Sequence, residues 1–443
     1  MRDYTILALL VIGCVWTLRS PWIGAIMWTV VSLGSPHMQF GYAAAGWPIS
    51  TAVAGFTMFA LLFTRDRIYP FYNGAVIATA ALAAWMTIGY PFALMPDYCY
   101  TLWERSMKIF LMLFVTVALI DTRKKLEVFI WANVLSLAYY GVKGGVFGIL
   151  TGGHFQVLGT GGFLGGNNEM GLALIVIFPL LRYLQLQSPQ RWLRLALAGS
   201  LVCVAVAIIA TQSRGAFVGI MAMALFFWLK NDNKLRWGAV ILFGFTVGLG
   251  AMPEEWWAKM STINTYEQDA SAQGRINSWW TAWNIATERV TGGGFVLTVP
   301  WIFAKYAPNP NMIFVAHSIY FQMLGEHGFV GLIVFLSIGV LSWYNSSRMI
   351  GLAKADPSKK WAADLGRMIQ VSLLGYAAAG AFLSMAYYDL PFNIAAISAM
   401  GLYFARMPSS SGQPAAVAAA AATTGPGAPP HRLDLKGGRR QLR

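Results

Sequence analysis

The chain has 443 residues, of which 57% are hydrophobic and only 11% are charged. This composition leaves too little polar surface for a soluble globular protein, so the chain belongs in a lipid membrane. The net charge of +14 comes without a basic stripe of interleaved aromatic residues, which argues against nucleic acid as a partner. Most cations lie in short segments between apolar runs, where positive charge orients membrane helices.

Apolar stretches of about 20 residues, the length that crosses a bilayer, follow one another along the chain. We predict an all-α integral membrane protein with about twelve transmembrane helices. The predicted spans are residues 4–34, 49–64, 73–90, 106–120, 127–142, 169–187, 195–212, 216–230, 237–252, 317–346, 366–386 and 390–406. The first span is interrupted at residues 19–21 and is either one kinked passage or a tight hairpin. The tenth span begins with a polar-faced portion before Gly328.

Lysine and arginine recur in every second connection, which predicts the orientation of the spans because cytoplasmic loops retain positive charge. The predicted cytoplasmic connections lie near residues 65–67, 123–125, 191–194, 230–236 and 348–360. The connections predicted on the outer side are residues 91–105, 143–168, 213–215, 253–316 and 387–390. An even number of spans then places the N-terminus inside.

The segment 253–316 is the longest connection between predicted spans, and loops of this length are usually functional. It separates an N-terminal transmembrane bundle, residues 1–252, from C-terminal transmembrane helices, residues 317–406. Within the long loop, residues 274–290 predict a tryptophan-rich helix suited to the lipid interface. Residues 407–443 are rich in Ala, Pro and Gly, and we expect a disordered cytoplasmic tail.

Cationic and titratable side chains are predicted on the outer side, against the usual distribution of positive charge. They are Lys108, Lys143, Arg214, Arg275 and His317. An ionisable group costs roughly 2.5 to 3.5 kcal/mol near the bilayer centre, so it needs a partner or a function. A single lysine can simply reach the lipid phosphates. Arg214 lies in a tight turn, and arginine binds phosphate bidentately while always charged, so an anionic diphosphate is the matching substrate.

Positions 317, 320, 321 and 324 fall on one helical face, so His317 is predicted to share a face with Tyr320. An imidazole with a reference pKa near 6.5 serves as a general base or a hydrogen-bond donor, although a histidine that is merely hydrogen-bonded at an interface has the same spacing. Asp389, also outside, either orients an imidazole or pairs with an arginine. Glu326 is interpreted as a structural group at a helix end. The glycine-rich segment 161–166 precedes a helix, whose N-terminus either binds an anion or is an ordinary capped start.

We expect neither a metal nor another cofactor. The cysteines at 14, 99 and 203 are scattered without CxxC pairing, so disulfides and zinc are not predicted. The outer loops hold no carboxylate pair with metal-ligand spacing, and the chain has no Walker loop or GxSxG elbow. Metal-independent chemistry is therefore favoured.

Three motifs follow in a fixed order on the predicted outer side. They are SRG at 213–215, GRxNxWWxAW from Gly274, and HSxYxQxLxExGxxG from His317 to Gly331. This order resembles the O-antigen ligase and polymerase superfamily of bacterial membrane glycosyltransferases, with a GT-C-like fold. Residues 1–190 also resemble the putative O-glycosylation ligases found with exosortase systems. Ser318 stands where that superfamily often has asparagine, which leaves the orientation of the histidine ring open.

The resemblance implies transfer of a glycan from undecaprenyl diphosphate to an acceptor hydroxyl at the periplasmic face of the bacterial inner membrane. It implies that Arg214 and Arg275 hold the diphosphate and that His317 is catalytic. Lys108, as a further diphosphate ligand, and Asp389, as a supporting residue, match less closely. The remaining candidates for a supporting role are Lys143 and Tyr320.

We expect the acceptor to be a lipid A core sugar and the transfer to invert the anomeric centre. The nearest alternatives are a protein O-oligosaccharyltransferase or a polysaccharide polymerase of the same superfamily. A flippase or exporter of lipid-linked glycan is the alternative from another class, and it would need charged groups along a path through both leaflets. A non-catalytic membrane scaffold would not require the combination of Arg214, Arg275 and His317.

Overall fold

A computed structural model describes residues 2–40, 46–64, 72–154, 156–159, 161–230, 233–250, 252, 254, 256–257 and 270–408. Within these residues the fold is all helical, as predicted. The first helices are α1 (Arg2–Arg19), α2 (Pro21–Gly34), α3 (Pro36–Phe40), α4 (Ile49–Leu61), α5 (Gly74–Gly89), α6 (Pro96–Leu119), α7 (Arg123–Leu150) and α8 (Asn167–Gln187). Those that follow are α9 (Arg191–Ala210), α10 (Arg214–Lys230), α11 (Lys234–Gly250), α12 (Ala270–Glu288), α13 (Pro300–Tyr306), α14 (Ile319–Ala355), α15 (Lys360–Gly380) and α16 (Asp389–Arg406).

Several helices are long and apolar enough to cross a membrane. Among the described residues, 4 meet both conditions, namely Gly74–Phe92, Asn167–Gln187, Arg191–Ala210 and Ile319–Ala355. Leu7–Arg19, Pro21–Gly34 and Ile49–Leu61 are shorter apolar helices. The protein is therefore a membrane protein, and the larger number of spans stays a prediction.

Helices α1 and α2 form a tight antiparallel hairpin around Ser20. Gly13 lies against Met27, and the Thr17 hydroxyl donates to the Met27 sulfur at 3.8 Å. Pro21 starts the second arm, where its missing N–H costs nothing. Of the two interpretations of residues 4–34, the hairpin is the correct one. If both arms cross the membrane, the start of α1 lies on the side opposite to the predicted one.

The centre of the bundle contains α8 and α16, which are apolar on every side. Almost every residue of α16 is buried, and most of α8 is buried as well. Helix α15 packs against α8, α10 and α14, while α12 packs on α14. Small residues permit close approach, since a Cβ on Gly375 would meet Ile175 and Met223. This packing brings the starts of α10 and α14 close to the C-terminal end of α15.

Helix α14 is broken at Gly328, whose φ of 69° and ψ of −174° are accessible only to glycine. The break leaves carbonyl oxygens at the end of the first part, residues 319–327, without helical partners. The amides of Gly293 and Gly294 satisfy two of them by donating to the carbonyls of Gly325 at 2.8 Å and Glu326 at 2.9 Å. The glycine turn after α12 therefore stabilises the break.

The helix predicted over residues 274–290 is confirmed as α12. Most of 253–269, the first part of the predicted long loop, lies outside the described residues, as does the predicted tail from residue 409 onwards.

Candidate functional site

An extended segment, residues 309–316, runs along α12 and delivers His317. Asn277 anchors its first part by donating from its side-chain amide to the carbonyl oxygens of Asn309 and Met312, at 2.9 and 2.8 Å. The Ser278 hydroxyl donates to Phe314 O at 2.6 Å. Trp279 anchors the last part with an indole hydrogen bond to Ala316 O at 2.7 Å. Consecutive residues of the predicted motif on α12 therefore fix the backbone that leads to the histidine.

His317 occupies a left-handed backbone conformation, with a φ of 44°. Histidine tolerates this region better than most residues, but it still costs energy that the surrounding contacts must offset. Ser318 is buried directly after it and occupies the N-cap position of α14, without a side-chain capping hydrogen bond. The prediction that His317 lies on a helical face is wrong, because the chain turns at His317 before α14 begins and the residue lies half-buried at the end of the extended segment.

Arg275 lies one turn before Trp279 on α12 and acts electrostatically on His317. Burial lowers the pKa of His317 below its ordinary value of 6.5, and the positive charge of Arg275 lowers it further. The imidazole is therefore neutral at neutral pH and able to accept a proton. Trp279 also stacks on Phe321, with ring centres 4.9 Å apart and planes at 6°. The structure thus brings the predicted pair, Arg275 and His317, together.

Arg214, the first residue of α10, lies beside the C-terminal end of α15. A Cβ on the next residue, Gly215, would come within 3.3 Å of Ala379 O and Phe382 Cβ. On the same turn, Gly380 packs against the side chain of Ile319. Residues 379–382 are therefore flanked by the start of α10 and the start of α14, and this arrangement brings the first and third motifs to one end of α15.

The turn that precedes Arg214 is held by side chains rather than by a helix. Gln212 has a φ of 52° and donates from its side-chain amide to Gly153 O at 3.1 Å. Asn167, at the start of α8, donates to Thr211 O at 2.8 Å. Gly166 occupies the N-cap position of α8 without a side-chain capping bond, so the expected capped start is not found, and anion binding at this helix start stays a prediction.

Tyr320 ties α14 to α15, because its hydroxyl donates to Ala377 O at 2.8 Å. It also lines an apolar cavity of about 550 Å³ between α14, α15 and α16. Further residues of the cavity wall are Ile319, Phe335, Gly339, Leu374 and Phe392. The cavity therefore begins next to His317 and is lined almost entirely by hydrocarbon side chains.

The two candidate lysines lie elsewhere. Lys108 forms an ion pair with Glu104 at 2.8 Å, one turn away on the same helix. Lys143 is exposed on α7. The contacts of the described residues do not link either lysine to His317, so their proposed roles stay predictions.

Asp389 begins α16 and is almost completely buried, with 2% of its surface exposed. Ser32 donates its hydroxyl to one carboxylate oxygen at 2.6 Å, and the charge of Arg105 acts on the same carboxylate. Of the two predicted partners, an arginine rather than an imidazole is therefore the one found. The sequence reasoning missed Arg105, although it lies only one helical turn before Lys108 on α6.

Glu326 lies in a buried polar network, as expected for a structural group. The hydroxyl of Tyr387 donates to its carboxylate and lies 2.7 Å from Nε2 of His327. The carbonyl of His327 accepts the indole N–H of Trp85 at 2.9 Å. Gln322 accepts the amide of Ala386 at 3.2 Å. This network fastens the connection between α15 and α16 to the first part of α14.

Residues 199–336 match the O-antigen ligase family model. Over these residues the chain carries an O-antigen ligase domain, which contains Arg214, Arg275 and His317 and confirms the resemblance seen in the motifs. A second model, described as a family of unknown function, matches residues 1–188. No curated protein matches the chain. Members of the superfamily are glycosyltransferase-like ligases and polymerases that act on lipid-linked glycans and acceptors, so the chain is an enzyme of that general kind.

Proposed function

We propose that this protein is an O-antigen ligase-type glycosyltransferase that moves a glycan from undecaprenyl diphosphate to a hydroxyl of a lipid A core sugar. The reaction takes place on the periplasmic face of the bacterial inner membrane, needs no metal ion and inverts the anomeric centre. The observation that carries the proposal is a neutral His317 held beside Arg275 at the end of the segment that α12 anchors.

His317 accepts the proton of the attacking hydroxyl, or holds that hydroxyl while the proton leaves late. A general base must be neutral at the working pH, and both burial and Arg275 favour the neutral imidazole. The acceptor oxygen forms a bond to C1 of the donor sugar, and the bond from C1 to the diphosphate oxygen breaks. In-line attack on that carbon inverts its configuration.

Arg275 and Arg214 stabilise the leaving group. Negative charge grows on the diphosphate as its bond to C1 breaks, and guanidinium groups in fixed positions stabilise that charge more in the transition state than in the ground state. The start of α10, which carries Arg214, and the start of α14 pack on the same turn at the end of α15, and this supports a joint role for the two arginines.

The apolar cavity beside Tyr320 accommodates part of the polyprenyl chain of the donor. Its volume of about 550 Å³ and its hydrocarbon lining suit an isoprenoid segment, and it begins next to His317. The polyprenyl chain of a diphosphate bound at Arg275 would therefore enter an apolar path within the membrane directly.

The test is transfer of glycan from purified undecaprenyl-diphosphate donor to lipid A core acceptor, in detergent with EDTA. Wild type is compared with His317→Ala and Arg214→Gln, and with Arg182→Gln, an exposed arginine outside the site, as control. We expect conjugate from wild type and the control, and a loss of at least about 100-fold in the two site variants.

Other outcomes decide between the alternatives. Transfer only to a protein acceptor, or growth of the glycan without lipid A core, would show that the lipid A core sugar is not the acceptor. Movement of the lipid-linked glycan across a bilayer without any new glycosidic bond would favour a flippase and overturn the enzyme proposal.

A further inference from the structure

A second polar cluster lies where α2, α6, the glycine-rich loop and α16 meet. We define the Arg105–Asp389 cluster as Ser32, Arg105, Phe163, Tyr388 and Asp389. Ser32 donates to one oxygen of Asp389 at 2.6 Å, and the Arg105 guanidinium lies 3.4 Å from the centre of the Phe163 ring. Phe163 meets Tyr388 edge to face at 6.0 Å. Contacts from four separate parts of the chain thus build one site.

Two buried polar atoms of the cluster lack a hydrogen-bond partner among the described residues. Asp389 is 2% exposed and Tyr388 0% exposed, yet within the described part of the chain Oδ2 of Asp389 and the hydroxyl of Tyr388 make no hydrogen bond. Arg105 faces Asp389 electrostatically, but the described ion pairs do not include these two residues. Leaving a buried carboxylate oxygen unpaired is costly, so such a group indicates a ligand that supplies the missing contact.

The hydrogen-bonding chemistry of Asp389 and Arg105 favours a ligand that carries a hydroxyl group. A carboxylate only accepts hydrogen bonds and a guanidinium only donates them, whereas a hydroxyl does both. A hydroxyl between Asp389 and Arg105 would therefore satisfy each of them. Phe163 adds an apolar surface beside this pair, on which the carbon face of a sugar ring can pack.

We propose that the Arg105–Asp389 cluster binds a sugar ring of the glycan substrate through at least one of its hydroxyl groups. The proposal deepens the proposed function and rests on it, because it places a carbohydrate subsite apart from the diphosphate contacts of Arg214 and Arg275. The same polyhydroxyl chemistry is offered by the donor glycan and by the acceptor sugar, and the experiment below separates them.

The glycine-rich loop provides the entrance. Gly162 is exposed and lies next to Arg105, so that a Cβ there would be 3.9 Å from the guanidinium. Gly161 and Gly162 have φ values of 103° and 63°, which bring the backbone close without strain. Met38 beside them is 40% exposed. Because Asp389 itself is enclosed, a sugar hydroxyl reaches it when Arg105 and Phe163 move aside together.

The experiment measures binding to purified full-length protein in detergent by microscale thermophoresis. The probes are the oligosaccharide released from the lipid-linked donor, the core oligosaccharide released from lipid A, and undecaprenyl diphosphate without sugar. The variants are Arg105→Gln and Asp389→Asn, with Arg182→Gln as the matched arginine control.

We expect wild type and Arg182→Gln to bind one of the two oligosaccharides, and the bound one identifies the source. Arg105→Gln and Asp389→Asn should weaken that binding about tenfold or more, since each loses a hydrogen bond to a charged group. Binding of undecaprenyl diphosphate should stay within about twofold of wild type in both, below the roughly tenfold that losing such a bond costs.

The inference is overturned if wild type binds neither oligosaccharide. It is also overturned if both cluster variants bind the preferred oligosaccharide with the affinity of wild type. If Asp389→Asn fails to fold, Arg105→Gln decides, because the Arg105 side chain is exposed. If the cluster variants lose oligosaccharide binding but wild type transfers no glycan, the subsite stands and the proposed ligase reaction fails.

Discussion

The indole N–H of Trp279 donates a hydrogen bond of 2.7 Å to the carbonyl oxygen of Ala316, the residue directly before His317. The same indole ring stacks on Phe321, just after the start of α14. One side chain of α12 therefore contacts the backbone before the histidine and an aromatic side chain after it. Since His317 itself is in a left-handed conformation, these contacts help to hold its ring in place.

Replacing Trp279 with phenylalanine should remove the hydrogen bond and keep the stacking. We expect kcat for glycan transfer to fall about tenfold with little change in the KM for the donor, because the ring of His317 loses its fixed position. Steady-state kinetics of the purified variant measure both constants. Trp280→Phe is the control, since Trp280 is 55% exposed on the same helix. Equal effects of the two substitutions would contradict the positioning role.

The pH dependence should report the charge next to His317. With its pKa held below 6.5 by burial and by Arg275, the imidazole stays neutral until the pH falls below that value. The acid limb of kcat/KM should therefore lie below pH 6.5. Removing the positive charge in Arg275→Gln should raise the pKa of His317, so the residual activity should disappear at a higher pH than in wild type.

Arg275→Lys is the control for this shift, because it keeps the charge while losing the bidentate geometry. Its activity should fall, but its acid limb should remain near that of wild type. A limb that moves equally in both variants would show that the charge of Arg275 does not set the pKa of His317.

A bulky side chain in the apolar cavity should raise the KM for donors with a long isoprenoid chain more than the KM for donors with a short one. Gly339 lines the cavity, and a Cβ there would meet nothing within 4 Å. We expect Gly339→Phe to raise the KM for the undecaprenyl donor roughly tenfold, about 1.4 kcal/mol of lost binding. The KM for a donor with a short isoprenoid chain should change little.

Gly351→Phe is the matched control, because Gly351 is on the same helix, has equally open space and does not line the cavity. If Gly339→Phe affects long and short donors equally, the polyprenyl chain does not use this cavity.

The adjacent tyrosines 387 and 388 should differ in their contribution to stability. Tyr387 donates to Glu326 and contacts His327, so Tyr387→Phe leaves buried polar groups without a partner. We expect its free energy of unfolding in detergent to fall by about 1–3 kcal/mol. Tyr388→Phe removes a hydroxyl that has no partner and should leave the stability unchanged or slightly higher. Equal losses of unfolding free energy in the two variants, measured by thermal or denaturant unfolding, would show that the network around Tyr387 does not stabilise the fold.

Much of the helical framework could be predicted from the sequence. The predicted spans 169–187 and 390–406 correspond to α8 and α16, and the predicted helix 274–290 corresponds to α12. These features are local, because an apolar run long enough to cross the bilayer must satisfy its own backbone as a helix. The order of the motifs likewise indicated the resemblance that the family model confirms over residues 199–336. It also predicted that Arg275 and His317 share one site, and the structure brings these two residues within electrostatic reach.

The partners of the charged groups depended on the tertiary structure. Lys108 and Arg105 lie three positions apart on α6, yet the first pairs with Glu104 and the second faces Asp389. Which side chain of a helix meets which neighbour is set by the rotation of that helix against distant parts of the chain.

The sequence by itself determined that this protein is a helical membrane protein with an O-antigen ligase domain over residues 199–336, because apolar runs and short motifs are properties of contiguous residues. Only the tertiary structure decided between a kinked passage and a hairpin at Ser20, placed the first and third motifs on one turn of α15, and gave Asp389 its arginine partner. Each of these depends on packing between residues far apart in the chain, for which a local pattern carries no signal.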